Sequence, residues 1–443
     1  MAIGGGTFTV QNKVLPGSYI NFVSTAGAAT LGERGVAALP LELNWGPEDR
    51  IFALEAGDFN QSALKVLGYD PAAEELLLIR EVFKRAKTLL AYRVNSGGAK
   101  AAATTGGLTA TARHGGTRGN SLRVAVLDNG DGEGMVEVVT YLDASRVDSQ
   151  TVAAAGGRPE DNDYVTFSAG ETLTAAAPAA LTGGANGTVD SAAYAAWLSA
   201  LEVERFNVLG YPGTDEAVKA LAAAFITRLR EDEGRKVVGV LHRYPAADSI
   251  GIINVKNGVK LSGGAVLPGE KAVAWVTGAA AAAQVNESLT NAAYDGAVDV
   301  DVKYTKGQYE AAIRAGEFVF YADGGKARVL SDINSRTTFG GGVSEDWTSN
   351  QVVRVMDGWA NDVARIFSER YLGRQINSET GRGLFKADLL TLGRQYQALD
   401  AIGDFTAEDI TVQQGGGKRD VAVACALRPN DSMEKLYMTV SVN

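Results

Sequence analysis

Two histidines, His114 and His242, are the side chains with the widest chemical range in this sequence. Imidazole can serve as a metal ligand and as a general acid or base. Neither histidine has a cysteine or an acidic residue at the spacing of a zinc ligand set, which argues against a zinc site. Two histidines and no GxSxG motif leave little scope for a Ser–His–acid triad. Both are therefore interpreted as ordinary surface or packed residues.

The glycine-rich stretches and the acidic clusters are the other candidates for chemistry. The chain has no GxxxxGK[ST] motif, and TGGANG, GGGV and QGGGK do not lie between a strand and a helix, as a phosphate-binding loop would. QGGGK falls between two predicted strands and indicates a hairpin turn. The acidic residues at 231–233, and Asp299 with Asp301, are typical of solvated faces. The sequence thus predicts no catalytic residue, no metal and no cofactor.

Composition narrows the class of protein. The 443 residues suggest two to four domains. A net charge of −10, without a cluster of Lys or Arg, argues against direct nucleic-acid binding. No apolar run reaches the ~20 residues of a membrane span, and the start lacks a signal-peptide pattern. The protein is expected to be made in a cytoplasm, with its single cysteine, Cys425, buried and inert in a strand.

The order of predicted elements divides the chain into five segments. Residues 1–35 form an arm and hinge with two β-prone pieces. A mixed α/β domain occupies 36–96 and resumes at 191–335, where a strand–helix–strand unit of roughly 35 residues predicts parallel pairing. Residues 97–190, with short strands between regular turns, predict an inserted β-rich outer domain. Residues 336–443 contain two amphipathic helices followed by three strands, the pattern of an α+β domain.

Residue types also predict helix boundaries and faces. Asp70 is the expected N-cap of one helix, with Pro71 at its first position, and Thr214 is the expected N-cap of another. The first C-terminal helix has a predicted apolar stripe of Val352, Met356, Trp359, Val363, Ile366 and Phe367. Its predicted polar face contains Arg354, Asp357, Asn361 and Arg365. The second helix gathers on its apolar side Phe385, Leu389, Leu392, Tyr396 and Leu399, with Leu384 at the edge.

The last ten residues, EKLYMTVSVN, alternate as a strand up to the end of the sequence. The apolar face consists of Leu436, Met438, Val440 and Val442. Chain termini are usually frayed and polar, and an unpaired strand edge promotes association. These residues are therefore predicted to pair with another chain by strand addition.

Several stretches identify a family resemblance. The C-terminal third, from RVMDGWANDVARIFSERYLGRQ to EKLYMTVSVN, resembles the C-terminal domain of contractile phage tail sheath proteins, especially those of Gram-positive myophages, defective prophages and phage-tail-like bacteriocins. LPGSYINFVS, GTRGNSLRVAV, AVAWVTGAAAAAQVNESLTNAAYDGAVDV and ARVLSDINSRTTF resemble the same family in the same order. The resemblance spans most of the chain.

The resemblance implies a structural role. Such subunits stack as six-fold rings around a tail tube, and the sheath contracts to drive the tube through a cell envelope. The implied fold combines a mixed α/β body, an inserted small β domain and a C-terminal α+β domain whose sheet is completed by strands from neighbouring subunits. The implied partners are other copies of the chain, the tail tube protein, and baseplate and tail terminator proteins, with no direct nucleic-acid contact or membrane insertion. The implied location is a virion tail or a phage-tail-like particle assembled in the host cytoplasm.

The same resemblance assigns roles to particular residues. The expected inter-subunit strands contain Phe8, Val10, Tyr19, Ile20, Phe22, Leu436, Met438, Val440 and Val442. The possible tube contacts are Arg365, Glu369, Arg370, Arg374, Lys386 and Arg394, although the favoured interpretation is that these charges are solvated or pair within the domain, as charge runs usually do. Residues 24–35 and 428–433 are the expected hinges. The alternatives are another self-assembling tail component and an α/β enzyme with a decorating β domain.

Overall fold

A computed structural model describes residues 4–6, 17–19, 31–129 and 133–442. The chain forms two compact units, residues 1–32 with 362–428, and residues 33–361 with 429–443. In the arm, the short strands β1 (Gly4–Gly6) and β2 (Gly17–Tyr19) pair in parallel. Phe8, Val10, Ile20 and Phe22, predicted to lie in inter-subunit strands, are outside the described residues.

The first half of the α/β body follows the predicted pattern except at one helix start. Its elements are β3 (Val36–Leu41), β4 (Ile51–Glu55), α1 (Phe59–Leu67), α2 (Leu77–Phe83) and β5 (Thr88–Arg93). The prediction that Asp70 caps the helix was wrong. The Asp70 carboxylate instead accepts the Ala72 amide at 2.9 Å, and a 3-10 turn (Glu74–Leu76) precedes α2. A turn of this kind satisfies the amides that a longer helix would leave open.

The insertion consists of seven antiparallel strands in two sheets. The strands are β6 (Ala102–Thr105), β7 (Leu108–Ala112), β8 (Leu122–Asp128), β9 (Met135–Leu142), β10 (Ser145–Ala153), β11 (Val165–Ala169) and β12 (Ala176–Ala180). One sheet has the order β10-β9-β8-β12 and the other β11-β7-β6. Alternating side chains from both sheets, including Leu108, Val126 and Phe167, form one buried core, which is the packing of a β-sandwich.

The second half of the body completes the α/β pattern and adds small antiparallel sheets. Its larger elements are α3 (Ser191–Leu201), β13 (Val208–Gly210), α4 (Glu216–Glu231), β14 (Val238–His242) and β15 (Ile252–Val255). They are followed by β16 (Val259–Leu261), β17 (Val266–Leu267), α5 (Gly269–Ala282), β18 (Ala297–Val300), α6 (Lys306–Arg314), β19 (Glu317–Phe318), β20 (Phe320–Asp323) and β21 (Lys326–Val329). The cap of α4 is Asp215 rather than Thr214, because the Asp215 carboxylate accepts the amides of Ala217 and Val218.

One sheet organises this body. Its strand order is β19-β15-β14-β13-β3-β5-β4, and every pair is parallel except β4 with β5. The predicted parallel unit is thus confirmed by β13, α4 and β14. The alanine-rich helix α5 is buried and packs closely on α2, since a Cβ at Gly278 would lie 2.4 Å from the Val82 carbonyl oxygen.

The C-terminal segment consists of two helices and a hairpin. Helix α7 (Asn350–Ile366) ends in a π-helical turn (Phe367–Tyr371), and α8 (Glu379–Ala398) follows. The hairpin contains β22 (Ile410–Gln414) and β23 (Val421–Cys425). Phe385, Leu389, Leu392 and Tyr396 form the buried side of α8, whereas Leu384 and Leu399 are exposed. Residues 431–442, which include the predicted donor strand, belong to no sheet within this chain.

Candidate assembly surface

The end of the chain, residues 435–442, is a β-prone segment without a sheet of its own. It is termed the tail here. Leu436, Met438, Val440 and Val442 are 69% to 91% exposed, and Tyr437 on the other face is equally open. Four large apolar side chains in water carry a cost of about 1.5–3 kcal/mol each relative to full burial. The tail therefore has the sequence of a buried strand and the surroundings of an exposed one.

The hairpin of β22 and β23 is a sheet with two open edges. Its register runs from Ile410 opposite Cys425 to Gln414 opposite Val421. Neither edge pairs with another strand in the described part of the chain. Ile410 is buried, but Val423 on the same face is 41% exposed, because α8 packs against β22 and leaves β23 uncovered. The edge formed by β23 thus presents unpaired backbone groups beside an apolar face.

Local hydrogen bonds hold this hairpin in shape. In the QGGGK turn, the Gly417 amide donates to the Asp420 carboxylate at 2.8 Å and the Gly415 amide to the Asp420 carbonyl at 2.8 Å. At the open end, Arg428 forms an ion pair with Asp409 at 2.8 Å. The hydrogen bond from Arg428 lowers the pKa of Asp409 to about 2, with help from the backbone amide of Thr406. The predicted hairpin turn is confirmed, and both ends of the hairpin are fixed within one unit.

Cys425 lies on this edge, and the prediction that it is buried was wrong. The sequence predicts a buried thiol, but the Cys425 side chain is exposed. It shares the apolar face with Val421 and Val423, since alternate residues of a strand point the same way. The exposure follows from the missing neighbour of β23 and does not reflect a polar environment.

An aromatic groove lies beside the start of β23. Its volume is about 340 Å³, and Val421 is one of its lining residues. The ring centroids of Tyr371 and Phe385 are 4.7 Å apart, and those of Phe367 and Phe385 are 5.5 Å apart. Leu372 and Ile376 at its rim are exposed. The groove extends the apolar surface of the hairpin edge.

Comparisons with known proteins identify the family of the chain. Four family models match consecutive parts of the chain. They are the tail sheath protein Gp18 domain III N-terminal region (34–94), the phage tail sheath protein beta-sandwich domain (95–186), the phage tail sheath protein central domain (187–335) and the phage tail sheath C-terminal domain (343–443).

Relatives match over the whole length. The phage-like element PBSX protein XkdK of Bacillus subtilis is 36% identical and is covered completely, as is this chain. The crystal structure of a sheath tail protein from Desulfitobacterium hafniense is 44% identical, with a TM-score of 0.85 over 95% of this chain and 99% of that one.

The chain belongs to the phage tail sheath protein family.

It is a structural subunit of a contractile tail sheath, and the predicted family and mixed α/β fold class are confirmed. Completion of the C-terminal sheet by neighbouring subunits stays a prediction. A more distant likeness, to the helical sheath of the anti-feeding prophage in its contracted state, is 14% identical with a TM-score of 0.56 over 96% of this chain and 99% of that one, and shows the fold alone.

The charges expected to contact the tube are mostly paired within the sheath subunit itself. Arg365 lies 3.1 Å from Asp362 and 3.6 Å from Glu369. Arg370 pairs with Asp388 at 3.1 Å, and Arg374 donates to the Glu369 carbonyl at 2.6 Å. Lys386 and Arg394 have no ion pair in the described part of the chain. Pairing within the domain therefore accounts for four of the six residues.

The predicted polar face of α7 is partly covered in the sheath protein. Arg354 and Asp357 of α7 are buried, not solvated. The Asp357 carboxylate accepts hydrogen bonds from the two terminal guanidinium nitrogens of Arg230, at 2.6 and 2.8 Å. Arg354 forms an ion pair with Asp332 at 3.3 Å. The end of α4 and the loop before α7 cover this face. An amphipathic pattern alone did not reveal these partners, because they come from distant parts of the sequence.

The histidines occupy packed positions in the sheath subunit. His114 stacks edgewise on Trp45, with ring centroids 5.1 Å apart. Burial, together with the charges of Arg93 and Arg113, lowers the pKa of His114 to about 4. Burial also lowers the pKa of His242, against the opposing effect of Glu270. Within the described residues, no group of three or more His, Cys, Asp or Glu side chains is placed to hold a metal, and no helix is long and apolar enough to cross a membrane.

Proposed function

We propose that this sheath subunit polymerises as stacked six-fold rings around a tail tube by donating its tail to a neighbouring copy, and that contraction of these rings drives the tube through a cell envelope. The observation that carries the proposal is the pair of incomplete elements, an exposed apolar tail and a hairpin with open edges. Each element lacks what the other supplies. Strand addition would satisfy the backbone groups of both and bury the apolar face of the tail.

The tail adds to the edge formed by β23. The exposed apolar residues of the hairpin lie there, and Ile410 on β22 is already buried. Residues directly opposite each other on neighbouring strands share one face of a sheet. In this pairing, Leu436, Met438, Val440 and Val442 lie on the same face of the sheet as Val421, Val423 and Cys425. A register shifted by one residue would turn the four tail side chains to the opposite face, where they would stay in water. The edge formed by β22 remains for the N-terminal arm with Phe8, Val10, Tyr19, Ile20 and Phe22.

Ring closure strengthens links that are individually modest. Ordering a strand costs about 1–2 kcal/mol per residue, which offsets much of the gain from burial. Once a ring forms, neighbouring links act at a high effective concentration. The sheath thus stores its energy in assembly, and contraction enlarges contacts between copies while the strand links persist. Baseplate and tail terminator proteins would bound the polymer, which would assemble in the host cytoplasm.

We assign each segment of the chain a role in the assembled sheath. Residues 36–96 and 191–335 supply the α/β body, 97–190 the outward β domain, and 336–443 the domain that exchanges strands. The arm and hinge, 1–35, reach a neighbour. The chain does its work by assembly rather than by catalysis.

A disulfide test addresses the donated strand directly, because Cys425 is the only cysteine of the chain. Single variants Met438→Cys, Val440→Cys and Val442→Cys place a thiol on the apolar face of the tail. In polymers of the full chain, at least one of them should form a disulfide with Cys425 of the next copy, giving a ladder of covalent oligomers on a non-reducing gel. Disulfides require Cα atoms within ~7 Å and facing side chains.

Thr439→Cys and Ser441→Cys are the matched controls, since both point to the other face of the same strand. Neither should give a ladder, and Cys425→Ala should abolish every ladder. Ladders of equal strength from both faces, or from no position in well-formed polymers, would refute donation to β23.

The tube contact is proposed for the two expected cations that lack an ion pair, Lys386 and Arg394. Their release during contraction requires weak contacts, and surface ion pairs contribute only ~0–1 kcal/mol each. Lys386→Glu with Arg394→Glu should slow assembly on the tail tube and leave the fold unchanged by circular dichroism. Arg374→Glu, whose guanidinium is engaged by its own helix end, is the control. Normal assembly of the double variant on the tube would refute this contact.

A further inference from the structure

Two carboxylates fasten the root of the tail to the α/β body. The Asp431 carboxylate accepts a hydrogen bond from the Ser349 hydroxyl at 3.0 Å. The two oxygens of Glu434 accept from the Thr290 hydroxyl at 2.6 Å and from the Ser331 hydroxyl at 3.2 Å. All five residues belong to one compact unit. Together they are termed the tail anchor.

The tail anchor is tied to a rigid junction. The Thr290 hydroxyl that donates to Glu434 also accepts the Asp332 amide at 2.8 Å. Asp332 is only 2% exposed. Its carboxylate accepts from the Asn350 side chain at 2.9 Å, the Leu289 amide at 3.0 Å and Arg354 at 3.3 Å. The root of the tail is therefore linked through one hydroxyl to the buried start of α7.

The contrast along the chain is abrupt. Asp431 and Glu434 are held, and the tail that follows keeps its large side chains in water. Residues 428–433 were the expected hinge, yet this stretch contains one carboxylate of the anchor and ends beside the other. Fixing the exit of a segment reduces the orientations that it samples before binding, which is the general benefit of preorganisation.

We propose that the tail anchor positions the donor strand, so that the tail leaves the α/β body in one direction and moves with that body. This inference rests on the proposed strand donation and specifies how the donor is presented. Bending during contraction then falls after Glu434 or before Pro429, and not between Asp431 and Glu434. Asp431 and Glu434 are positioning residues, because they do not belong to the paired strand itself.

Glu434→Ala tests the anchor, since it removes two of the three hydrogen bonds and changes an exposed side chain. Spin labels at Met438→Cys and Lys306→Cys, in a Cys425→Ala background, report the distance from the tail to helix α6 by pulsed electron resonance. The unsubstituted anchor should give a narrow distance distribution and Glu434→Ala a broad one. Polymerisation should slow roughly tenfold, the factor expected for losing hydrogen bonds to one charged group.

Two further variants separate loss of the anchor from a general effect of substitution near Glu434. Ser331→Ala removes one anchor bond from the body side and should give an intermediate width. Lys435→Ala, next to Glu434 but outside the anchor, should behave like the unsubstituted chain. Equal widths for Glu434→Ala and Lys435→Ala would overturn the anchor.

The outcomes separate this inference from the proposed function. If Glu434→Ala leaves both the distance distribution and the polymerisation rate unchanged while the Cys425 ladders still form, the anchor is wrong and strand donation stands. If the ladders fail in polymers with an intact anchor, strand donation itself is wrong.

Discussion

The β-sandwich insertion and the C-terminal hairpin share an alternating apolar pattern but differ in how far their apolar faces are covered. In the insertion, seven strands pair in two sheets, and alternating residues such as Val126 and Phe167 are almost completely buried. In the C-terminal segment, two strands pair, and Val423 and the tail keep their apolar side chains in water. Both regions obey the same period-two pattern. The difference lies in whether the chain supplies enough strands to cover its own apolar faces.

This difference separates folding from assembly. The sandwich stabilises the single subunit, because its two sheets cover each other's apolar faces within one chain. An open hairpin contributes little to the isolated subunit, because a two-stranded sheet is at best marginally stable alone. Its value appears only when a third strand arrives. Substitutions in the first region should therefore change the stability of the subunit, and substitutions in the second should change the polymer.

The largest expected effect comes from removing the tail. Deleting the residues after Met433 should leave a folded, monomeric subunit, since the deleted side chains are almost entirely exposed. The same deletion should abolish sheath formation, because no donor strand remains for the neighbouring hairpin. Gel filtration and negative-stain microscopy in the presence of tube protein measure the two results.

A full-length control tests whether changes to the polar face of the tail are tolerated while its apolar face is kept. Thr439→Ala with Ser441→Ala, on the other face of the tail, should still form sheaths. Normal tails from the truncated subunit would contradict strand donation.

The next prediction compares two truncations to alanine, one in the core of the sandwich and one in the tail, by their effect on the free energy of unfolding. Phe167→Ala should lower the free energy of unfolding of the subunit by about 3–5 kcal/mol, as expected for a buried phenylalanine. Val440→Ala, at a position 69% exposed, should change it by less than ~0.5 kcal/mol while weakening the polymer. Urea unfolding of the monomer and sedimentation of the polymer give the two numbers. A large loss of monomer stability in Val440→Ala would show that the tail packs on its own subunit.

The sequence predicted the elements of both regions better than their surroundings. Local sequence patterns identified the parallel unit of β13, α4 and β14 and the hairpin turn at QGGGK. These features depend on neighbours close in the chain. The burial of Asp357 on the predicted polar face of α7 was not foreseen, because its partner Arg230 lies 127 residues away in the sequence. Local patterns do not show which distant charge will cover a helix face.

The predictions of the helix caps and of a buried cysteine were wrong for more local reasons. Asp70 forms a turn with Ala72 instead of a cap, and Asp215 outcompetes Thr214 by one position, a choice between neighbours that residue preference alone does not make. Cys425 was expected to be buried because its strand is apolar, and it is exposed because that strand lacks a neighbour. The tail root was missed for a further reason, since hydroxyl partners such as Thr290 and Ser331 leave no periodic signal.

The smallest expected effect is a difference in how the stability of the two regions depends on pH. Burial and the nearby Arg93 and Arg113 lower the pKa of His114 in the insertion from 6.5 to about 4. Between these values the unfolded chain binds a proton that the folded subunit does not, so stability should fall as the pH drops from 6.5 to 4. His114→Gln removes this contribution. The stability difference between the two proteins, measured by urea unfolding at pH 7.5 and 4.5, isolates His114 from His242, whose pKa is also lowered.

The hairpin should be insensitive over the same interval. Its Asp409 has a pKa of about 2 because of the hydrogen bond from Arg428. A lowered carboxyl pKa contributes stability that is complete above the unfolded value of 3.8 and is lost only as the pH falls towards 2. Asp409→Asn should therefore shift hairpin amide exchange by the same factor at pH 7.5 and 4.5, whereas the effect of His114→Gln changes between them. If the two substitutions responded to pH alike, the Asp409–Arg428 pair would not be the contact that closes the open end of the hairpin.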